Sequence, residues 1–192
     1  DLKRKTICIL DQIFPEYESV FSNIFGKTSK EILLHFSSPA EFESITSEQL
    51  ETALEQVSFK KFASKKISCI SNIAKTSFGI TFGLQSLTLQ LKLLIKQINF
   101  IEQQVHDVEI QIKQLLHKIN TPITTIPGIG DIIGATILGE IGDIERFSNP
   151  SKLVAYAGID ASVHQSGDYI STNNKMSKRG SPYLRTALFR AA

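Results

Sequence analysis

The sequence is poor in cysteine, and its two cysteines, Cys8 and Cys69, stand alone. Neither belongs to a CxxC pair, and neither has a histidine close by in the sequence. Structural zinc sites and disulfide frameworks both need closely spaced sets of cysteines, so neither is expected here. We therefore predict no metal site in this chain, and a reducing, cytoplasmic location.

Long apolar runs are also absent. No stretch of about 18 consecutive apolar residues occurs, and no secretory signal opens the chain, so neither membrane insertion nor export is expected. Methionine occurs once, as Met176, and the chain begins at Asp1 within what reads as a helical segment. We therefore expect the chain to be a piece of a longer protein.

The sequence has little net charge of either sign, because 21 Lys and Arg residues balance 19 Asp and Glu residues to leave +2. This balance by itself favours no class of partner. The distribution is less even, since residues 175–192 contain five cations and no carboxylate. These cations are Lys175, Lys178, Arg179, Arg185 and Arg190. A local basic patch of this kind is what contacts with nucleic-acid phosphates require.

The composition, 42% hydrophobic and 21% charged, is that of an ordinary globular protein. Residues 1–80 read as a series of short amphipathic helices. In the stretch ILDQIFPEYESVFSNIF the apolar residues recur every three or four positions, which predicts a helix. Pro15 must start or kink this helix, and Gly26 is expected to end it. The fold class that we predict is mainly α.

Two capping boxes mark further helix starts in this segment. The strings SPAE and TSEQ place Ser38 and Thr46 at helix N-caps, each with Glu or Gln three residues later. They predict helices near residues 39–44 and 47–57. A further helix is expected over about residues 63–77.

The strongest periodic signal lies in residues 81–120, where we predict a long coiled-coil helix. Apolar residues alternate steps of three and four over about five heptads, and no polar residue interrupts the seam. Its members are Leu84, Leu87, Leu91, Leu94, Ile98, Ile101, Val105, Val108, Ile112, Leu115 and Ile119. A single helix cannot hide such a stripe, so it must pair with a second chain or lie along another helix. We expect a homodimer or higher oligomer through Leu84 to Ile119.

Residues 121–192 predict a small, compact C-terminal domain, because Pro and Gly become frequent after the coil. The string IPGIG places Gly128 and Gly130 between two apolar helical patterns, the form of a helix-hairpin-helix. Glycines let the backbone turn tightly, and exposed N–H groups at the start of the next helix can bind a DNA phosphate. The alternative is an ordinary glycine turn between packed helices, since the loop has no Lys or Arg.

Ser166 lies in the polar segment HQSGD, which predicts a short loop or β-hairpin before the last helix. A serine that attacks a phosphodiester needs exposure, a proton acceptor and cations for the transition state. Lys178, Arg179 and Arg185 could hold the phosphate oxygens, and His164 lies two residues from Ser166. From the residues alone, a loop serine beside a solvated basic run remains the commoner explanation.

The ordered motifs of this domain resemble those of a known family. The string IPGIGDIIGATILGEIGDIERFSNPSKLVAYAGI, followed by HQSG and KMSKRGSPYLRTALFRAA, is similar to the C-terminal domain of the IS-one-ten family of insertion-sequence transposases, also called bridge-RNA-guided recombinases. The resemblance covers residues from about 124 to 192. Residues 1–120 resemble the family only in being helical with a long coil.

The resemblance implies a function and a site. Members of the family join DNA covalently to a serine of this domain during strand exchange, and that serine falls on Ser166. An acidic, magnesium-binding Ruv-C-like domain precedes it in the family, and a guide RNA directs the exchange. The resemblance thus implies DNA transposition or recombination in a bacterial or archaeal cytoplasm, with DNA and a guide RNA as partners.

Residues 1–120 show none of the alternating strands and helices of a Ruv-C-like fold. We therefore expect the magnesium site to lie outside this chain, and the chain by itself to cleave no DNA. Asp160 and Asp168 read as loop residues and not as metal ligands. Two other functions stay open: a non-catalytic helix-hairpin-helix module that binds the DNA backbone, and an interaction protein whose coiled coil is its function.

Overall fold

The computed structural model describes residues 1–46, 49, 60–161, 165–166, 169–170 and 175–192. Contacts divide the chain into two compact units, Asp1–Gln104 and Val105–Ala192, which we call unit 1 and unit 2. The boundary lies inside one long helix, so this helix contributes residues to both units. Helices dominate both units, which confirms the predicted mainly α fold class. The division of the chain at residues 80 and 120 stays a prediction.

Unit 1 is built from short helices and the first part of the long one: α1 (Leu2–Ile13), α2 (Lys27–His35), α3 (Pro39–Glu43), α4 (Lys60–Ala74) and α5 (Leu84–Ile119). Pro15 begins a 3-10 turn, Pro15–Ser19, and α1 ends just before it. The predicted continuation of this helix to Gly26 is wrong, because residues 20–26 form no helix and Gly26 instead caps the start of α2. Phe21 and Ile24 are nevertheless buried. An irregular segment can therefore bury the apolar residues whose spacing predicted a helix.

Both predicted capping boxes form. The Ser38 hydroxyl accepts a hydrogen bond from the Glu41 N–H at 3.4 Å, and the Glu41 carboxylate accepts from the N–H one residue before the cap at 2.6 Å. In the second box the Thr46 N–H donates to Gln49 Oε1 at 3.1 Å, and the Gln49 N–H donates to Thr46 Oγ1 at 3.3 Å. These bonds satisfy N–H groups that a helix start leaves without a partner. The helix predicted at 47–57 lies, apart from Gln49, outside the described residues.

Aromatic rings form the centre of the unit 1 core. The ring of Phe42 lies 5.7 Å from that of Phe14 and 5.6 Å from that of Phe36, in the tilted arrangement that aromatic pairs prefer. Tyr17 is buried beside them, and its hydroxyl donates to the Ser29 carbonyl at 3.2 Å. Burial raises the pKa of the Tyr17 hydroxyl, so Tyr17 is a neutral donor in this core.

The apolar stripe of α5 has two different environments. Its first half packs into the unit 1 core, where Leu91, Leu94, Ile95 and Ile98 are buried. Its second half is exposed at Ile101, Val105, Val108, Leu115 and Ile119. The predicted long helix is confirmed, but part of its stripe lies along helices of its own chain. Pairing with a second chain stays a prediction, and only the exposed second half offers an apolar surface for it.

Unit 2 contains the second part of α5, and short elements follow it. They are a 3-10 turn (Pro122–Thr125), α6 (Asp131–Ile141), a 3-10 turn (Ile144–Arg146), α7 (Pro150–Ala157), β1 (Gln165–Ser166), β2 (Tyr169–Ile170) and α8 (Pro182–Ala191). Helices α6 and α8 pack together, and the buried core is small: Ile137, Ala157, Leu184 and Ala187. No helix in the described part of the chain is long and apolar enough to cross a membrane.

The caps of α7 and α8 show why these short helices begin where they do. Asn149 Oδ1 accepts from the Lys152 N–H at 3.0 Å, and Ser181 Oγ accepts from the Leu184 N–H at 3.1 Å. A proline follows each cap, at the first helical position where its missing N–H costs nothing. Gly158 ends α7 with φ +66°, the left-handed conformation that favours glycine. Helix α7 therefore ends before the segment that contains Ser166, and α8 begins after it.

Candidate functional site

The PGIG turn is built on two glycines with different surroundings. Gly128 has φ +87°, and a Cβ at this position would lie 2.3 Å from the carbonyl oxygen of Ala191 at the end of α8. Gly130 is the N-cap of α6, and a Cβ there would meet no atom within 4 Å. Gly128 is thus required by packing, whereas Gly130 lies beside open space.

A carboxylate occupies the helix start that was predicted to bind phosphate. Asp131 is the first residue of α6, and its Oδ2 lies 3.6 Å from the ammonium of Lys113. A negative side chain in the first turn already satisfies the helix dipole and repels a second anion. The element before the turn is a four-residue 3-10 turn and not an α-helix. The helix-hairpin-helix and the phosphate role of Gly128 and Gly130 therefore stay predictions, and Asp131 weakens them.

The segment that contains Ser166 leaves the domain through a narrow backbone stem, formed by residues 158–161 and 176–181. The Lys178 N–H donates to the Gly158 carbonyl at 3.0 Å, and the Ser177 N–H donates to the Asp160 carbonyl at 2.9 Å. Ala161 and Met176 form an antiparallel bridge. The two segments thus run antiparallel and hold both ends of the Ser166 segment together.

Two glycines allow the base of the stem to close. A Cβ on Gly180 would lie 1.9 Å from the Tyr156 carbonyl oxygen. A Cβ on Gly158 would lie 2.8 Å from Arg185 Nη1 and 3.1 Å from the Arg179 backbone nitrogen. No other residue could stand at these positions without moving backbone atoms. The backbone of Arg179 and the guanidinium of Arg185 thus both lie against Gly158.

The three predicted phosphate-binding cations gather at this stem. Lys178 and Arg179 are exposed on it, and Lys178 has φ +53°, a conformation that a non-glycine residue rarely adopts. Arg185 of α8 is half-buried, and its Nη1 donates to the Ala157 carbonyl at 3.2 Å. Within the described residues, none of the three forms an ion pair with a carboxylate. They therefore offer positive charge that no carboxylate in the described part of the domain neutralises.

Beyond the stem the chain forms a short hairpin. Strand β1 pairs with β2 in antiparallel register, with Ser166 opposite Tyr169 and Gln165 opposite Ile170. The predicted neighbours His164, Gly167 and Asp168 lie outside the described residues. Ser166 is thus the last residue of β1, and the paired strand β2 begins three residues later at Tyr169.

The carboxylates nearest the stem bind hydroxyl groups. Asp160 Oδ1 accepts from the Ser177 hydroxyl, and Glu140 Oε2 accepts from the Ser181 hydroxyl at 2.6 Å. Both acids thereby brace the stem, in agreement with the prediction that Asp160 is a loop residue. Over the part of the chain that is described, no three His, Cys, Asp or Glu side chains gather as metal ligands would.

A stacked arginine also supports the stem, and sequence reasoning missed it. The Arg146 guanidinium carbon lies 4.7 Å from the Phe147 ring centre and 4.6 Å from the Tyr156 ring centre. The Tyr156 carbonyl in turn accepts from the Ser181 N–H at 2.7 Å. A cation–π contact of this kind stabilises the position of Tyr156, whose carbonyl is bonded to the stem. The string ERF signalled a cation beside an aromatic ring, but nothing in the sequence pointed to Tyr156 as the second ring.

Comparison with known proteins supports the motif resemblance. Over 187 residues, 96% of this chain and 46% of the relative, it is 25% identical to the insertion element IS110 uncharacterized 43.6 kDa protein of Streptomyces coelicolor. Over 70 residues, 36% of this chain and 22% of the relative, it is 39% identical to the pilin gene-inverting proteins of Moraxella bovis and Moraxella lacunata. The chain thus spans less than half the length of these curated relatives. No solved structure matches it.

The family match falls on the part of unit 2 that follows α5. Residues 120–192 match the family described as Transposase IS116/IS110/IS902. This range contains the PGIG turn, the stem, the Ser166 hairpin and α8. It is also the range whose motifs resemble the IS-one-ten transposases. Residues 120–192 are therefore similar to the transposase domain that this family describes, and the chain as a whole is similar to an IS110 insertion-element protein.

Proposed function

We propose that this chain is the DNA-handling part of a transposase that breaks and rejoins DNA through a serine–phosphate link, with Ser166 as the nucleophile. The observation that carries this proposal is the stem, since its backbone hydrogen bonds hold both ends of the serine hairpin and it contains Lys178 and Arg179, with Arg185 bonded at its base; positive charge of this kind suits a phosphodiester substrate. The names of the Moraxella relatives state that they invert a pilin gene, and inverting a gene requires DNA strands to be broken and rejoined.

The proposed chemistry conserves bonds. The Ser166 oxygen forms a bond to phosphorus while the bond from phosphorus to one deoxyribose oxygen breaks, and that oxygen takes a proton. Attack by a deoxyribose hydroxyl of another strand then forms the new phosphodiester and releases the serine. The number of phosphate ester bonds stays constant, so the exchange needs no ATP. Lys178, Arg179 and Arg185 would stabilise negative charge on the phosphate oxygens in the transition state.

The remaining machinery is proposed to lie elsewhere in the protein. An acidic site in a Ruv-C-like domain would bind Mg²⁺, and the chain alone would cleave no DNA. A guide RNA would select the target, so DNA and RNA are both proposed partners. The exposed half of the α5 stripe, from Val105 to Ile119, would pair subunits into a homodimer or higher oligomer.

The test uses the full-length protein with its DNA target, in the presence and absence of its RNA. A protein–DNA adduct that survives denaturation is expected with wild type and lost with Ser166→Ala. Ser151→Ala, an exposed serine in the first turn of α7, is the matched control and should retain the adduct. An adduct that persists in Ser166→Ala would remove Ser166 from the nucleophile role.

A further inference from the structure

An apolar groove of about 490 Å³ lies between the stem and α8. We call it the Phe189 groove, and its lining residues are Ile159, Met176, Arg185, Thr186, Leu188 and Phe189. Phe189 is 83% exposed, although it lies beside the other apolar side chains of the groove. The volume lies in the range of pockets that hold small organic groups, about 300–1,000 Å³.

The charge around the groove restricts its occupant. Arg185 lies in the lining, and only one of its N–H donors is assigned, to the Ala157 carbonyl. The lining contains no carboxylate, and residues 175–192 contain none either. A flat apolar group with a negatively charged group attached to it would suit both the apolar lining and the Arg185 guanidinium. A nucleotide has this combination, with a base that stacks on apolar and aromatic surfaces and a phosphate that a guanidinium binds.

We propose that the Phe189 groove holds an unpaired base of the DNA strand, stacked against Phe189, with the adjoining phosphate at Arg185. The proposal rests on the proposed function, in which the same stem presents Ser166 to DNA. Arg185 and Phe189 are four residues apart on α8, so their side chains lie on one face of the helix. This spacing places the cation and the ring side by side, as a base and its phosphate would require.

The chain limits how far this base can be from the reacting phosphate. Ile159 in the groove and Ser166 are separated by seven residues, which span at most about 25 Å when fully extended. A DNA strand advances about 3.4 Å per nucleotide in a duplex. For a strand that keeps this spacing, the base in the groove lies within about seven nucleotides of the phosphate at Ser166. Exchange of strands between duplexes unpairs bases in this interval, which makes them available to the groove.

The first experiment measures equilibrium binding of this 192-residue chain to a short single-stranded DNA that contains a fluorescent purine analogue. Phe189→Ala should weaken binding by between about 5-fold and 150-fold, the range found when a base loses its aromatic stacking partner. Tyr183→Ala is the matched control, because Tyr183 is an exposed aromatic residue of α8, 70% accessible, that does not line the groove. Equal losses in the two variants, or no binding by wild type at low salt, would overturn the proposal.

A second arm identifies the group that Phe189 contacts. Single-stranded DNA with abasic residues should bind wild type and Phe189→Ala with equal affinity, because no base is left to stack. If Phe189→Ala weakens binding of abasic DNA as well, the groove does not hold a base. If RNA of the same sequence is bound more tightly and with the same dependence on Phe189, the occupant is RNA and the assignment to DNA is wrong.

Two further measurements separate the remaining outcomes. Phe189→Ala should weaken binding by the same factor in wild type and in Ser166→Ala, so failure of the serine chemistry and failure of the groove are distinguishable. Sedimentation of Phe189→Ala should match wild type. If the substitution instead dissociates an oligomer, a second copy of the chain occupies the groove and the proposal fails.

Discussion

Gly180 lies against the backbone of Tyr156, so close that a Cβ on Gly180 would stand 1.9 Å from the Tyr156 carbonyl oxygen. That carbonyl accepts the Ser181 N–H at 2.7 Å, and the Tyr156 ring carries the guanidinium of Arg146. The contact between Gly180 and Tyr156 therefore joins α7, the stem and the start of α8. Its integrity decides how rigidly the Ser166 hairpin is held.

Gly180→Ala should open this contact. The added methyl group overlaps backbone atoms, and an overpacked site of this kind costs about 1–3 kcal/mol. Denaturant unfolding should show this loss, and hydrogen exchange at the Ser181 amide should become faster. Gly139→Ala is the control, because a methyl group on Gly139 inside α6 would meet no neighbouring segment within 4 Å, and alanine there should stabilise by about 0.5–1 kcal/mol. Equal effects of the two substitutions would contradict the structural role of Gly180.

Glu102→Gln should weaken unit 1 in a manner that depends on pH. Glu102 accepts from the nearly buried ammonium of Lys30 and lies 3.1 Å from that of Lys3. The hydrogen bond from Lys30, which outweighs the opposing effect of burial, holds the pKa of Glu102 below its ordinary value of 4.5. At neutral pH we expect a loss of about 1 kcal/mol, the lower end for a charged hydrogen bond because Glu102 is half-exposed.

The sign of the pH dependence follows from the lowered pKa of Glu102. The folded state binds this proton less readily than the unfolded state, so the stabilisation is complete above about pH 4.5 and disappears as the pH falls through the folded pKa. Unfolding free energies of wild type and Glu102→Gln should therefore differ at pH 7 and converge in acid. Glu109→Gln, an exposed acid on the same helix, should match wild type at every pH. A difference between wild type and Glu102→Gln that stays constant down to pH 3 would assign the effect to packing.

Local features of the fold could be predicted from the sequence because local rules determine them. The caps at Ser38, Asn149 and Ser181 depend on side chains within three residues of the N–H groups that they bind. The stem could not be predicted in this way. Its bonds join backbone atoms of residues 158–161 and 176–181, and backbone atoms carry no sequence signal. Gly158 and Gly180 are the sequence features related to the stem, and glycine occurs for many other structural reasons, so the two do not predict it.

The periodic stripe of α5 illustrates a second limit. Leu91 and Leu115 both belong to the same unbroken heptad pattern, yet Leu91 is buried and Leu115 is 58% exposed. Periodicity identifies the apolar face of a helix but not the surface that covers it. For Leu91 that surface is the core of unit 1, which depends on contacts distant in sequence. Ser166 shows the same limit, because its proposed role depends on the family resemblance and not on a local pattern.

Lys178→Ala and Arg179→Ala should each reduce the affinity for duplex DNA and make that affinity less dependent on salt concentration. Each exposed cation that contacts a phosphate releases a counterion, so its removal should lower the slope of log affinity against log salt by about 0.9. Lys118→Ala removes an exposed cation at the end of α5 and should leave the slope unchanged. The measurement is fluorescence anisotropy at several salt concentrations. An unchanged slope in all three variants would place DNA on another surface.

Arg185→Ala should differ from these variants, because Arg185 also has a structural contact. Its guanidinium donates to the Ala157 carbonyl at the end of α7, and removing it leaves that carbonyl without this donor. We expect a loss of about 1 kcal/mol in unfolding free energy together with weaker DNA binding. Arg185→Lys should retain charge but not the paired geometry, and so recover part of the binding. If Arg185→Ala binds DNA as wild type does while losing stability, Arg185 is a structural residue only.

The exposed half of the α5 stripe should decide the oligomeric state. Val108 and Leu115 face solvent, and a row of exposed apolar side chains on one helix is covered most simply by a second copy of the same row. Leu115→Glu places a charge in this row and should shift the chain towards monomer in sedimentation experiments. Gln114→Glu adds the same charge at the neighbouring exposed position, outside the stripe, and should leave association unchanged. Because Leu115 is exposed, its substitution leaves the small core of unit 2 intact, so a change in mass reports on association and not on unfolding. A wild-type chain that stays monomeric at every concentration would show that the stripe is covered by some other surface.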